Sequence, residues 1–329
     1  MNRFFFYILN FLKIRIRIPF RLSIIILNFF KIIYKFDRHN FPLENTERFA
    51  NSINFPSKNR KYNDKFSGSI ELIYVATEKD FDILPTSILF AKKSLKNYRI
   101  KSCTIAVPDH EFVACKRYLS KADLGISIHI RAESSIIEDT VIKEIKDIFK
   151  NRYGWILQQL LKFHLSSNST SEAVLIVDSD TLLLRGREWV NNDGRQSLMP
   201  VEEFNSDYYE FLSKLNVCNK VPLFTFVSHH MLIQPRILRE IMNRTRIFDV
   251  HEMWNAIKRY ANHNSFSSIC VDYEFYAQYL HAHFPEKVSL VKWSNVSVSR
   301  RFFNYLISKK WILTILSIFY NSVSFHSWS

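Results

Sequence analysis

The sequence predicts an α/β sandwich with a mostly parallel central sheet and basic amphipathic helical ends. Three observations predict it. From residue 70 onward, short apolar β-type runs alternate with segments of helical spacing, which favours a sheet with helices packed on it. The 329 residues are 47% hydrophobic and 23% charged, a globular composition long enough for one large core or two small ones. The positive charge is concentrated at the two ends of the chain.

Residues 1–40 carry Arg3, Lys13, Arg15, Arg17, Arg21, Lys31, Lys35 and Arg38 against Asp37 alone. They are interleaved with aromatic and aliphatic residues, the pattern of a segment lying on an anionic membrane surface. Charges run through the segment, so its apolar stretches are too short for a transmembrane helix and ordered wrongly for a secretory signal. Residues 41–69 are polar, lack periodicity and read as a linker. Residues 301–329 form a second basic, aromatic end, read as a helix and tail, and from 292 onward there is no acid. The two ends together carry 12 of the formal net charge of +14. The body between them is nearly neutral, which excludes a nucleic-acid groove across the core.

Within residues 70–300, read as the catalytic domain, IELIYVAT (70–77) is the first buried strand. A helix is expected over 82–96, strands at 103–108 and 126–130 with a helix near 110–121 between them, and a helix over 137–149. A further helix begins near Tyr153 and leads into AVLIVDSDT (173–181), a buried strand ending in Asp178 and Asp180. Two carboxylates at an apolar edge are costly unless a cation meets them. Mg²⁺ or Mn²⁺ bound by one or two acids, with substrate phosphates completing the shell, answers that need. A turn with a helix cap is the plain alternative for Asp-Ser-Asp.

Glycine is scarce: Gly68, Gly125, Gly154, Gly186 and Gly194 form neither a GxGxxG turn nor a GxxxxGK loop. Phosphates would therefore be held by metal and cationic side chains. On the helix from Tyr153, the residues Trp155, Gln158, Gln159 and Lys162 fall on one stripe. They are suited to stack on, hydrogen-bond to and neutralise a nucleotide, unless the stripe is simply a solvated face. Ligands in such sheets gather at the carboxyl ends of strands. Cys103, Cys115, Cys218 and Cys270 show no metal or disulfide spacing, which makes a cytoplasmic location the default.

The runs IYVATEKDFDILPTSILFAKKSL, GWILQQLLKF and VLIVDSDTLLL resemble the GT-A glycosyltransferases, and most closely a bacterial family labelled domain of unknown function 6492. The resemblance extends from about residue 70 to the C-terminus. It implies a Rossmann-like nucleotide-diphospho-sugar transferase fold in which Asp178 and Asp180 hold Mn²⁺ or Mg²⁺ against the donor diphosphate, with Ser179 between them at the cofactor. It implies that Ala76 and Thr77 meet the nucleoside and that the DYEFY segment (272–276) lies beside the acceptor and the transferred sugar. It also implies that the C-terminal His326 completes the metal shell, imidazole being suited to Mn²⁺ beside two carboxylates. The match there is confined to one residue near the end of the chain, where fraying is the default.

Of the adjacent His229 and His230, only one can face a given pocket from a strand; one, His229, is read as a substrate contact and the other as structural. Asp272 could cap the helix over 270–284. Lys162 and Arg185 would share the charge of the leaving diphosphate. An inverting reaction would need a carboxylate base, for which Asp272 and Glu274 are candidates; a retaining one would not.

These readings converge on a metal-dependent hexosyltransferase-like enzyme at the inner face of the cell membrane. It would move a sugar from a nucleotide-sugar, foremost a UDP-sugar, to a cell-surface glycan or lipid-linked acceptor. The rivals are a non-catalytic membrane-surface protein and a haloacid-dehalogenase-type phosphatase. The latter lacks its expected context, since no Gly-Asp dipeptide occurs.

Overall fold

The computed structural model describes residues 68–326 apart from 96–97, 192–193, 202–204, 220–221, 223, 264–268 and 270. The basic front, nearly all of the 41–69 segment and Cys270 lie outside the described residues.

The described chain begins with β1 (Ser69–Val75), α1 (Leu84–Ser94), β2 (Arg99–Val107), α2 (Phe112–Leu119) and β3 (Ile128–Ala132). Next come α3 (Asp139–Phe149), α4 (Tyr153–Asn168), β4 (Ala173–Val177), β5 (Thr181–Leu183) and β6 (Gln196–Leu198). They are followed by α5 (Ser206–Lys214), β7 (His230–Ile233), α6 (Pro235–Thr245), α7 (Val250–His263) and α8 (Glu274–His283). The last elements are β8 (Val288–Leu290), β9 (Asn295–Ser299), α9 (Phe303–Ser308), α10 (Lys310–Phe319) and β10 (Ser322–His326). Every strand and helix named from the sequence between 70 and 284 is present within a few residues.

The main sheet runs β3-β2-β1-β4-β7. Its first four strands are parallel, and β7 joins antiparallel with Val177 opposite His230. Consequently the start of β7 lies beside the end of β4, and both contribute side chains to one edge. All five residues of β4 are buried, and Val174, Leu175, Ile176 and Val177 each contribute about 1.5–3 kcal/mol. That burial fixes where the strand stops and Asp178 begins.

Helix α4 departs from the expected two-faced arrangement. Leu157, Leu160, Leu161 and Leu165 are buried, but so are Gln159 and Lys162. The helix is threaded through the core rather than laid on it, so its polar stripe is internal. Its C-terminal end is held by Arg239, which donates to the carbonyls of Ser167 and Ser169.

The C-terminal segment is more than a helix and tail. Arg300–Ser308 and Trp311–Phe319 meet at 112°, and no single described helix is long and apolar enough to cross a membrane. After α10 the chain enters β10, the middle strand of a second sheet ordered β5-β10-β9. There β10 is antiparallel to β5 and parallel to β9. Val323 and Phe325 pack with Leu182, Val296, Val298 and Leu306 in a separate apolar cluster.

Candidate active site

Asp178 follows the last residue of β4, and its backbone N–H donates to the carbonyl of His229 at 2.9 Å. That residue has φ 62°, a left-handed conformation that costs an ordinary side chain about 1 kcal/mol or more. The strained turn directs the His229 ring to Asp178, with Nδ1 3.2 Å from Oδ2. The other carboxylate oxygen, Oδ1, accepts from Lys162 Nζ at 2.6 Å and from the Tyr273 hydroxyl at 2.8 Å.

Lys162 is 3% exposed, and its ammonium also reaches Asp272 at 3.0 Å and the Tyr273 hydroxyl at 3.3 Å. An ammonium has three protons to donate, and three acceptors surround this one. Burial alone would lower the Lys162 pKa, but the two carboxylates reverse that and raise it. Burial likewise opposes ionisation of Asp178, and Lys162 and His229 overcome it, holding that carboxyl well below the usual range.

Asp180 faces the C-terminal strand. Its Oδ2 lies 3.4 Å from His326 Nδ1, its carbonyl accepts from Phe325 N–H at 2.8 Å, and the next side chain, Thr181, meets Ser324 at 2.9 Å. His326 is therefore the last residue of a strand, paired with Ser299 of β9 and next to Phe325, whose N–H is bonded to Asp180. Its ring centre is 5.4 Å from that of His229, which is stacked at 6.5 Å on Trp293. Asp178, Asp180, His229 and His326 thus form one partly exposed rim, with side chains 17–24% accessible. His230 turns the other way into the core, edge-on to Trp189 at 5.9 Å, and burial drives its imidazole well below the ordinary value. The two adjacent histidines thus face opposite ways, His229 toward the rim and His230 into the core.

Ala76 and Thr77 lie at the carboxyl end of β1, with the Ala76 N–H bonded to the Ala106 carbonyl and Thr77 half-exposed. They lie at the carboxyl-end rim of the parallel strands.

The structure places the other candidate residues as follows. Lys162 is enclosed by carboxylates and offers no face to a diphosphate. Gln159 is 2% exposed; its amide donates to the Ile269 carbonyl and accepts from Val271 N–H, so it shapes the backbone that delivers Asp272. Trp155 stacks on Tyr208 at 5.8 Å, which gives its ring a protein partner, and Gln158 is half-buried beside it on the helix. Ser179 is buried and donates to Asp80 Oδ2 at 2.8 Å, while Arg300 holds the other Asp80 oxygen at 2.7 Å. Arg185 donates to the carbonyls of Ile318 and Tyr320 at the end of α10, away from any shared role with Lys162. Asp272 is not a helix cap, since α8 begins at Glu274 with Tyr273 in the capping position; its carboxylate takes Tyr273 N–H and Lys162 instead. Glu274 is fully buried, with its oxygens on Phe226 N–H and the Gln278 amide, and burial pushes it up to about 7. A base must reach the acceptor hydroxyl; here both acids are bonded to partners inside the protein.

Sequence reasoning missed Tyr273, Asp80, Arg300 and Trp293 as site builders. Tyr273 stood within the DYEFY segment, but nothing in the sequence tells which way its ring turns.

Among the described residues, no three His, Cys, Asp or Glu side chains converge as a ready-made metal cage. The donors along the rim are nevertheless of the kind Mn²⁺ accepts, namely carboxylate oxygen from Asp178 and Asp180 and imidazole nitrogen from His326. Their chemistry fits such an ion.

Residues 70–290 match a family described as being of unknown function, DUF6492. No curated protein matches the sequence. Among solved structures, the chain is similar to mouse xyloside xylosyltransferase 1 in its apo form (10% identity, 79% of this chain and 98% of that one, TM-score 0.44). It is also similar to the galactosyltransferase LgtC in complex with donor and acceptor sugar analogues (11%, 78% and 86%, TM-score 0.41). A third is the mannosyltransferase Ktr4p from S. cerevisiae in complex with GDP (10%, 78% and 80%, TM-score 0.45).

Proposed function

The chain belongs to the DUF6492 family of unknown function, and from that premise we propose that it is a metal-dependent glycosyltransferase. It takes a sugar from a nucleotide-sugar, foremost a UDP-sugar, and transfers it to a cell-surface glycan or lipid-linked acceptor at the inner face of the cell membrane. The observation that carries the reading is the rim where Asp178 and Asp180 end a buried strand and Asp180 faces His326 at 3.4 Å.

Asp178, Asp180 and His326 would hold the divalent ion, which supplies Lewis-acid stabilisation of the leaving diphosphate when bound. Lys162 and Tyr273 fix Asp178 from behind, so the carboxylate is oriented before any ligand arrives. Ala76 and Thr77 border the nucleoside, and His229 stands over the rim as a substrate contact. In the transfer, the bond from the anomeric carbon to the diphosphate oxygen breaks and a bond to the acceptor oxygen forms. With Asp272 and Glu274 both engaged inside the protein, the acceptor proton passes to the departing diphosphate oxygen, and retention of anomeric configuration is the outcome this reading favours.

The test is isothermal titration with UDP, with and without Mn²⁺, on wild type and on Asp178→Asn/Asp180→Asn. Manganese-dependent binding that the double variant loses supports the donor site. Equal binding in both proteins, or none with any nucleoside diphosphate, removes it.

A further inference from the structure

We propose that the outward face of α10 is a docking surface for an anionic lipid bilayer. It deepens the membrane-side location proposed above and rests on it. The inward face of α10 is accounted for: Leu313 and Leu316 are buried in the cluster that surrounds β10. On the opposite side Trp311, Ile315, Ile318 and Phe319 follow helical spacing and form one stripe. They are 54, 43, 65 and 56% exposed. A helix packed on a soluble body ordinarily turns polar residues outward. Four large apolar side chains there form a contiguous patch of the kind that marks an interaction surface.

Charge chooses the occupant. From residue 292 onward the chain has no acid, and Lys292, Arg301 and Lys309 are exposed. Arg300 is excluded from this count because it is paired with Asp80 and Asp82. An apolar stripe carried by a segment whose only charges are cations matches anionic headgroups above acyl chains. The apolar groove of a protein partner would explain the stripe but not the absence of acid. The helix is also fixed in advance, because Arg185 donates to the Ile318 and Tyr320 carbonyls at its C-terminal end. The stripe is therefore presented by a rigid support and loses little entropy on docking.

The experiment is sedimentation of the full-length protein with phosphatidylcholine vesicles, with and without phosphatidylglycerol, with light scattering to follow self-association. The variants are Ile315→Asn/Ile318→Asn and, as a control elsewhere on the surface, Phe248→Asn, where the side chain is 58% exposed. The double variant is expected to bind phosphatidylglycerol vesicles roughly tenfold more weakly or worse, with an unchanged circular dichroism spectrum, and Phe248→Asn to bind as wild type. Brominated lipids should quench wild-type tryptophan fluorescence more than that of Trp311→Phe. If wild type and the double variant bind anionic vesicles equally, the inference about α10 is overturned while the membrane location stands. If the double variant loses self-association instead of lipid binding, the face belongs to a second copy of the chain. If wild type binds neither vesicle, the membrane location itself falls.

Discussion

Asp180, from the middle of the described chain, and His326, at its last strand, meet with Oδ2 and Nδ1 3.4 Å apart. The pairing of β10 with β5 creates the meeting. His326→Ala removes the imidazole without opening the core, because the side chain is at a strand end and partly exposed. We expect manganese-dependent UDP binding to weaken by at least about 10-fold, since even partners behind the ligands cost about 10–100-fold, with little change in the melting temperature. Titration calorimetry and a thermal melt read the two effects separately, and unchanged affinity would remove His326 from the ion's shell.

Lys162 is the buried partner of two carboxylates, and its removal leaves them facing each other uncompensated. Breaking a buried pair in this way costs about 3–5 kcal/mol. Lys162→Met should show that loss in urea unfolding, and adding Asp178→Asn and Asp272→Asn should recover much of it. A Lys162→Met protein as stable as wild type would contradict the network.

Glu274 makes stability depend on pH. Its folded pKa is raised to about 7 by burial, above the value of an exposed glutamate. Between roughly pH 4.5 and 7 the folded state therefore holds more protons than the unfolded state, and stability falls as pH rises through that window. Glu274→Gln abolishes the contribution, so relative to wild type the variant should gain up to about 3 kcal/mol between pH 5 and pH 8. Chemical denaturation across that range measures it; a constant difference would count against a buried, titrating Glu274.

Trp155 separates the sequence reading from the structural one. As a nucleotide-stacking residue it would set donor affinity; stacked on Tyr208 it sets packing. Trp155→Ala is expected to lower stability by about 1–2 kcal/mol and to leave the affinity for UDP as in wild type. A large loss of affinity in a protein of unchanged stability would restore the ligand role.

Much of the architecture could be read from the chain because local signals agreed with the global fold. The uninterrupted apolar run of β4 ends where Asp178 begins, and Pro235 starts α6 where a proline is tolerated. The residues behind the rim were harder. Gln159 and Lys162 lie on one helical stripe whether that stripe faces solvent, a ligand or the core. Only the packing of α4 between the sheet and the Ile269–Tyr273 segment, where Gln159 and Lys162 find their partners, decides among them. Arg185 shows the same limit: a cation near a carboxylate motif in sequence is drawn to whichever acceptors the tertiary fold brings closer, here the end of α10. His326 was the reverse case, because a histidine near the chain end is anchored only through long-range strand pairing.

The central position of β10 also bears on how the protein is made. β5 has its partner only after Ser322–His326 has been synthesised, so from its own emergence until the chain is nearly finished it is an unpaired apolar edge. Such an edge can pair with another chain. A molecule clipped ahead of Ser322 would lose His326 from the rim and regain that adhesive edge in one event. Quality control that removes chains with exposed β edges would thereby also remove those with an incomplete site.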